Sequence, residues 1–146
     1  RAQMILNQTA EYALRAMAVL AAVSPSERLS SADLARRANL PTHYVSKVMR
    51  RLVLARLVTS QRGHGGGFAL AREPSGIRII DVLEAVEFQP AEGQCAFGVG
   101  ECNPSSPCAL HPAYASLHAT FLRWARETML VDMAPENAAS SAPFPS

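Results

Sequence analysis

Cys95, Cys102 and Cys108 are the only cysteines of this 146-residue chain, they fall within 14 residues, and His111 follows the last of them at a spacing of three. The residues between them are rich in Gly, Pro and Ser, so the run can fold around something small. Thiolates and imidazole are the donors that soft or borderline metals and iron–sulfur clusters select. A disulfide framework fits poorly, because the count is odd and the N-terminus does not resemble a secretory signal. In a cytoplasmic chain, which is where this one is expected, clustered cysteines are more often metal-binding or redox-active than structural. A thiol switch using two of the three cysteines and a structural zinc site remain open as alternatives. Enzymatic use of Cys108 and His111 as nucleophile and base lacks a third member and any cofactor motif, so the chain is expected not to be an enzyme.

The elements that would position this run carry a charge asymmetry. The net charge is only +2, yet between Asp33 and Glu73 there are eight cations and no acid. They are Arg36, Arg37, Lys47, Arg50, Arg51, Arg56, Arg62 and Arg72, which leaves +8 in this segment and −6 in the rest. Such segregation within a small chain points to a polyanionic partner. With 49% hydrophobic residues the chain can bury a core, and its longest apolar stretch, Ala10 to Val23, is too short for a membrane span and is interrupted by Glu11 and Arg15.

Residues 1–8 are expected to be extended or disordered, with Met4 placed like a natural start. The spacing of Ala13, Leu14, Met17, Ala18, Leu20 and Ala21 predicts a helix from Thr9 to about Val23, capped by Asn7 or Thr9. Ser30 or Ser31 caps a short helix over Ala32–Ala38, and Asn39-Leu40-Pro41 forms a turn. Thr42 caps a further helix, about His43 to Ala55, whose inward stripe is Val45, Val48, Met49, Leu52 and Val53. Two short helices joined by a tight turn after a leading helix make a helix-turn-helix.

Leu57–Gln61 and Phe68–Ala71 then read as two strands around the glycine-rich tip Arg62–Gly67, and a hairpin in this place is a wing. A phosphate-cradling nucleotide loop would lead into a helix instead. Ile79 to Val86 is the next helix. Beyond the cysteines, Leu110, Tyr114, Leu117, Phe121, Trp124 and Val131 recur with a period of 3.5, with Thr128 the polar exception, which predicts a helix of about 20 residues suited to dimerisation. The fold class expected is mainly α with a small β-wing. It comprises a winged helix-turn-helix over 4–88, a cysteine-bearing loop over 89–111, a dimerisation helix over 112–133 and a disordered tail over 134–146.

An α-helix fits the major groove of DNA and reads bases with its N-terminal residues. Here those residues are Thr42, His43, Tyr44, Ser46 and Lys47, with Arg50 and Arg51 one turn on at phosphate distance and Arg36 and Arg37 ending the supporting helix. Tyr44 has an equal place in the core. At the wing, Arg62 stands among residues small enough for close approach to the minor groove, with His64 beside it. Two copies joined by the long helix would bind a pseudo-palindromic double-stranded operator as a homodimer.

Met4-Ile-Leu-Asn-Gln-Thr-Ala-Glu-Tyr-Ala-Leu-Arg15, Leu40-Pro-Thr-His-Tyr44-Val-Ser-Lys47 and Val58-Thr-Ser-Gln-Arg62-Gly-His-Gly-Gly-Gly67-Phe68, with the cysteine triplet, resemble the Rrf-two-type family of bacterial winged-helix regulators, in its IscR- and NsrR-like branch. The resemblance covers Met4 to about Asp132. It implies a homodimeric transcriptional regulator with an iron–sulfur sensor at Cys95, Cys102 and Cys108, responsive to redox state, nitric oxide or iron status. The first cysteine gap holds six residues where five is common, and Ser46 and Lys47 leave the operator sequence open. For the fourth ligand, His111 is similar to the histidine of 2Fe–2S members, and Glu11 to a carboxylate that related sensors contribute from the partner subunit. Imidazole is the softer donor and needs no second chain, which favours His111 and a 2Fe–2S cluster over Glu11 and 4Fe–4S.

Overall fold

The computed structural model describes residues 6–88 and 111–133. The expected tail over 134–146, residues 1–5 of the expected extended start and the three cysteines lie outside the described residues, while Gln8, expected to be extended, already opens the first helix.

Helix α1 (Gln8–Ala22) begins where the side chain of Asn7 accepts a 2.8 Å hydrogen bond from the Ala10 amide. Its apolar residues are numerous enough to be enclosed on most sides: Ala10, Ala13, Ala16 and Met17 are fully buried. It touches α2, α3, α4, the return strand of the wing and the last turn of the described chain, and so forms the centre of the core. Helix α2 (Ser31–Ala38) is capped by Ser30, whose hydroxyl accepts the Asp33 amide at 3.1 Å. It ends at Asn39, which adopts the left-handed conformation (φ 54°) that Asn tolerates. The Leu40 amide then closes on the Ala35 carbonyl at 2.8 Å.

Helix α3 (Thr42–Leu54) departs from expectation at its start. Thr42 is its first residue and Pro41 occupies the capping position, without a side-chain cap. The ring of Pro41 fixes φ at −60°, its carbonyl takes the Tyr44 amide at 2.9 Å, and Thr42 is left exposed on the first turn. The buried stripe is Val45, Val48, Met49 and Leu52.

Strands β1 (Val58–Gln61) and β2 (Gly67–Leu70) pair antiparallel in the register Val58↔Leu70 to Gln61↔Gly67. A third segment joins them. Leu29, in the link between α1 and α2, bridges Phe68 through amide–carbonyl bonds of 2.9 and 2.7 Å. After a 3-10 turn at Pro74–Gly76, helix α4 (Ile79–Ala85) is opened by Asp81, whose carboxylate accepts the Arg78 amide at 2.9 Å and the Arg78 guanidinium at 3.0 Å.

Helix α5 (His111–Glu127) has 17 residues and does not continue to Met133. The Thr128 carbonyl accepts the Ile79 amide (3.0 Å) and the Leu130 amide donates to Ile77 (2.7 Å), so the chain leaves the helix to pair with the segment ahead of α4. This pairing buries Leu130 completely, and a 3-10 turn over Leu130–Met133 follows. The 3.5-residue seam is therefore divided. Phe121 faces the core and packs edge-on against Phe88 (6.3 Å between ring centroids), while Leu117 and Trp124 are 52% and 39% exposed. Among the described residues no helix is long and apolar enough to cross a membrane.

Candidate nucleic-acid interface

The outward face of α3 presents Thr42, His43, Ser46, Lys47 and Arg50, all exposed, on the helix that follows the turn. Its inward stripe fixes the rotation of the helix, so these residues share one face as a consequence of the core. Tyr44 is half-buried. Its hydroxyl shares a 2.8 Å hydrogen bond with Thr9, and its ring meets Tyr12 edge-on at 5.2 Å. It bolts the reading helix to α1 and also orders its neighbours: the Lys47 ammonium lies 5.4 Å from its ring centroid and the His43 ring 6.3 Å away.

The flanking cations are of three kinds. Arg50 is exposed on the second half of the helix. Arg36 is exposed and makes a 3.5 Å i,i+3 pair with Asp33, an exchangeable surface contact. Arg51, in contrast, is used structurally: its guanidinium donates to the Val86 carbonyl at 3.1 Å. Arg37 lies 4.0 Å from Glu27.

At the wing, Arg62 and His64 are exposed on a tip closed by a 3.0 Å bond from the Gly66 amide to the Gly63 carbonyl. Gly63 and Gly65 have φ of 93° and 77°, and a Cβ at Gly66 would collide with the Gln61 carbonyl, so this tight tip requires glycine at successive positions. Sequence reasoning missed the contacts that hold the wing just below its tip. There Arg28 donates to the Gly67 carbonyl at 3.2 Å, and Gly67 (φ 135°) lies so close to the Leu29 carbonyl that no Cβ fits. The glycine run was the only sign of such an approach.

The expected metal ligands are not brought together by the described residues. Cys95, Cys102 and Cys108 lie outside them, and of His111 only the backbone is described, as the first residue of α5. Among the described residues no group of three or more His, Cys, Asp or Glu could hold a metal. Glu11 is half-buried and paired with Arg15 at 2.6 Å, while Arg15 also donates to the Asn39 carbonyl at 3.3 Å. In this conformation the carboxylate orients Arg15, whose guanidinium fastens α1 to the helix-turn-helix turn.

A helix-turn-helix with an exposed polar reading face and a glycine-tipped basic wing defines a winged-helix DNA-binding protein. The chain belongs to the Rrf2 family, described as iron-dependent transcriptional regulators, whose profile matches residues 6–136. A relative from Mycobacterium tuberculosis, named as an HTH-type transcriptional regulator, is 34% identical over 144 residues, covering 95% of this chain and 89% of the relative. The HTH-type transcriptional regulator IscR of Escherichia coli is 31% identical over 114 residues, 78% of this chain and 70% of that protein. The fold is shared with CymR, the global cysteine regulator of B. subtilis (TM-score 0.73, 24% identity, 90% of this chain and 97% of that one). It is also shared with T. potens IscR (TM-score 0.68, 23% identity, 89% and 85%). Naming of the relatives as transcriptional regulators accords with the expectation that this chain is not an enzyme.

Proposed function

We propose that this Rrf2-family regulator binds a pseudo-palindromic operator as a homodimer, and that an iron–sulfur cluster on Cys95, Cys102, Cys108 and His111 sets its operator affinity. The observation that carries the reading is the donor set: three thiolates and an imidazole within one run of 17 residues. Three soft donors and one borderline donor suit a 2Fe–2S cluster better than a hard cation. The family's description as iron-dependent regulators supports an iron-based group. When bound, such a group would cross-link several side chains at once, turning ligation free energy into structural free energy.

The chain's own residues would then connect that run to the reading helix. Phe88, the last described residue before it, is buried against Phe121 of α5, and Val86 holds Arg51 of α3. Thr42, His43, Ser46 and Lys47 face the bases, Arg50 and Arg36 the phosphates, and Arg62 with His64 the minor groove. The exposed Leu117 and Trp124 support pairing of two copies along α5.

The test is anaerobic reconstitution with iron and sulfide, followed by absorption and Mössbauer spectra. A 2Fe–2S signature lost in His111→Ala and kept in Glu11→Ala is expected. Loss in Glu11→Ala alone would replace the fourth ligand by a carboxylate and favour a 4Fe–4S cluster. A colourless protein holding zinc, or one that answers peroxide by disulfide formation, would overturn the cluster reading in favour of a structural metal or a thiol switch.

A further inference from the structure

We infer that Arg28, in the link between α1 and α2, is a positioning residue that aims the wing. A hairpin of four residue pairs is marginal on its own, so the direction of its tip must be set by contacts from outside the hairpin. Three contacts do so. Leu29, 2% exposed and anchored in the core, exchanges backbone hydrogen bonds with Phe68. Gly67 has no room for a Cβ against the Leu29 carbonyl, which holds the two backbones at their closest approach. The Arg28 guanidinium takes the Gly67 carbonyl at 3.2 Å. Gly67 is the register partner of Gln61, and Arg62 comes next. The clamp therefore grips the residue pair directly beneath the arginine offered to DNA.

The alternative use of a cation at this place is a direct phosphate contact. The two uses differ in their coupling to Arg62. A clamp acts through the wing, so its removal costs little once the wing has lost Arg62; a phosphate contact is lost independently and adds.

This inference rests on the wing's contact with DNA, and the experiment separates the two. The probe is a duplex selected by the wild-type protein from a random-sequence pool, and affinity is read by gel shift for Arg28→Ala, Arg62→Ala and the double variant. The expected result is a loss of about fivefold for Arg28→Ala, on the order of one net intramolecular hydrogen bond, and a double variant no weaker than Arg62→Ala. Arg28→Lys, which retains a donor of similar reach, should recover most of the loss. Fully additive losses, or no loss in Arg28→Ala, would overturn the clamp. If Arg62→Ala alone has no effect, the wing reading fails, and amide exchange at Phe68 decides the clamp without DNA: faster exchange in Arg28→Ala supports it, and unchanged exchange overturns it.

Discussion

Arg51, on the second half of the reading helix, donates a 3.1 Å hydrogen bond to the carbonyl of Val86, just past the end of α4. Glu87 then turns the chain with a positive φ of 57°, and Phe88 inserts against Phe121. The segment leading into the cysteine-bearing run is thus fastened by the Arg51 side chain to α3, the helix proposed to read DNA. Replacing Arg51 with Ala should cost about 1–2 kcal/mol of stability, because a carbonyl loses a charged donor. It should also shrink the difference in operator affinity between cluster-loaded and cluster-free protein. Denaturant unfolding and paired gel shifts measure both, and an unchanged affinity difference would show that this link is not used.

DNA binding through α3 and the wing should be strongly salt-dependent, since each neutralised phosphate releases counterion. Lys47→Ala and Arg62→Ala should each weaken binding to the selected duplex by about tenfold, at roughly 1–3 kcal/mol per good base or groove contact. Lys47→Ala should in addition relax base preference, because Tyr44 holds the ammonium on the reading face. Equal affinity of both variants and wild type would contradict the assignment of the reading elements.

Dimerisation should depend on the exposed part of the seam. Leu117→Glu and Trp124→Glu are expected to yield folded monomers with reduced operator affinity, as two half-sites are no longer tied together. Phe121→Glu should instead unfold the protein, because Phe121 lies in the core beside Phe88. Sedimentation velocity and circular dichroism distinguish these outcomes; dimers that persist in both seam variants would exclude α5 as the interface.

The start of α4 should confer a pH dependence of known sign. Burial pushes the Asp81 carboxyl up, but hydrogen bonds from the Arg78 side chain and backbone, with the charges of Arg78 and Arg72, outweigh it and hold the group below the usual carboxylate range. A depressed folded-state value contributes stability that is fully present above about pH 4, the unfolded range for Asp, and is lost as pH falls through the folded value. Asp81→Asn should cost about 1 kcal/mol at neutral pH and flatten the decline below pH 4. Unfolding curves at several pH values test this, and a parallel decline in the variant would refute it.

The helix-turn-helix and wing were legible because their signals are local. Ser30, Asn39 and Pro41 punctuate the helices, the stripe from Val45 to Leu52 orients α3, and the glycines mark the tip. Sequence reasoning failed where distant backbone groups decide. Nothing near Leu29 announces a bridge to Phe68, nor anything near Arg51 a bond to Val86, 35 residues away. The seam of α5 continued through Val131 on paper, but pairing of Thr128 and Leu130 with Ile79 and Ile77 drew the chain back onto the core, and the polar Thr128 was the only hint. The exposed polar face of α3 could be read by type and spacing, whereas the division of Arg50 from Arg51 into exposed and structural cations required the fold.

A cluster on the cysteine-bearing run is proposed to control DNA binding. The test is to measure, without air, the affinity of one reconstituted preparation for the selected duplex before and after chelation of iron, with the visible spectrum followed in the same samples. A change of about tenfold or more is expected, tracking the loss of visible absorption and disappearing in Cys102→Ala, in keeping with a coupling of roughly 1–3 kcal/mol between two sites. Equal affinity of the loaded and cluster-free forms would contradict it.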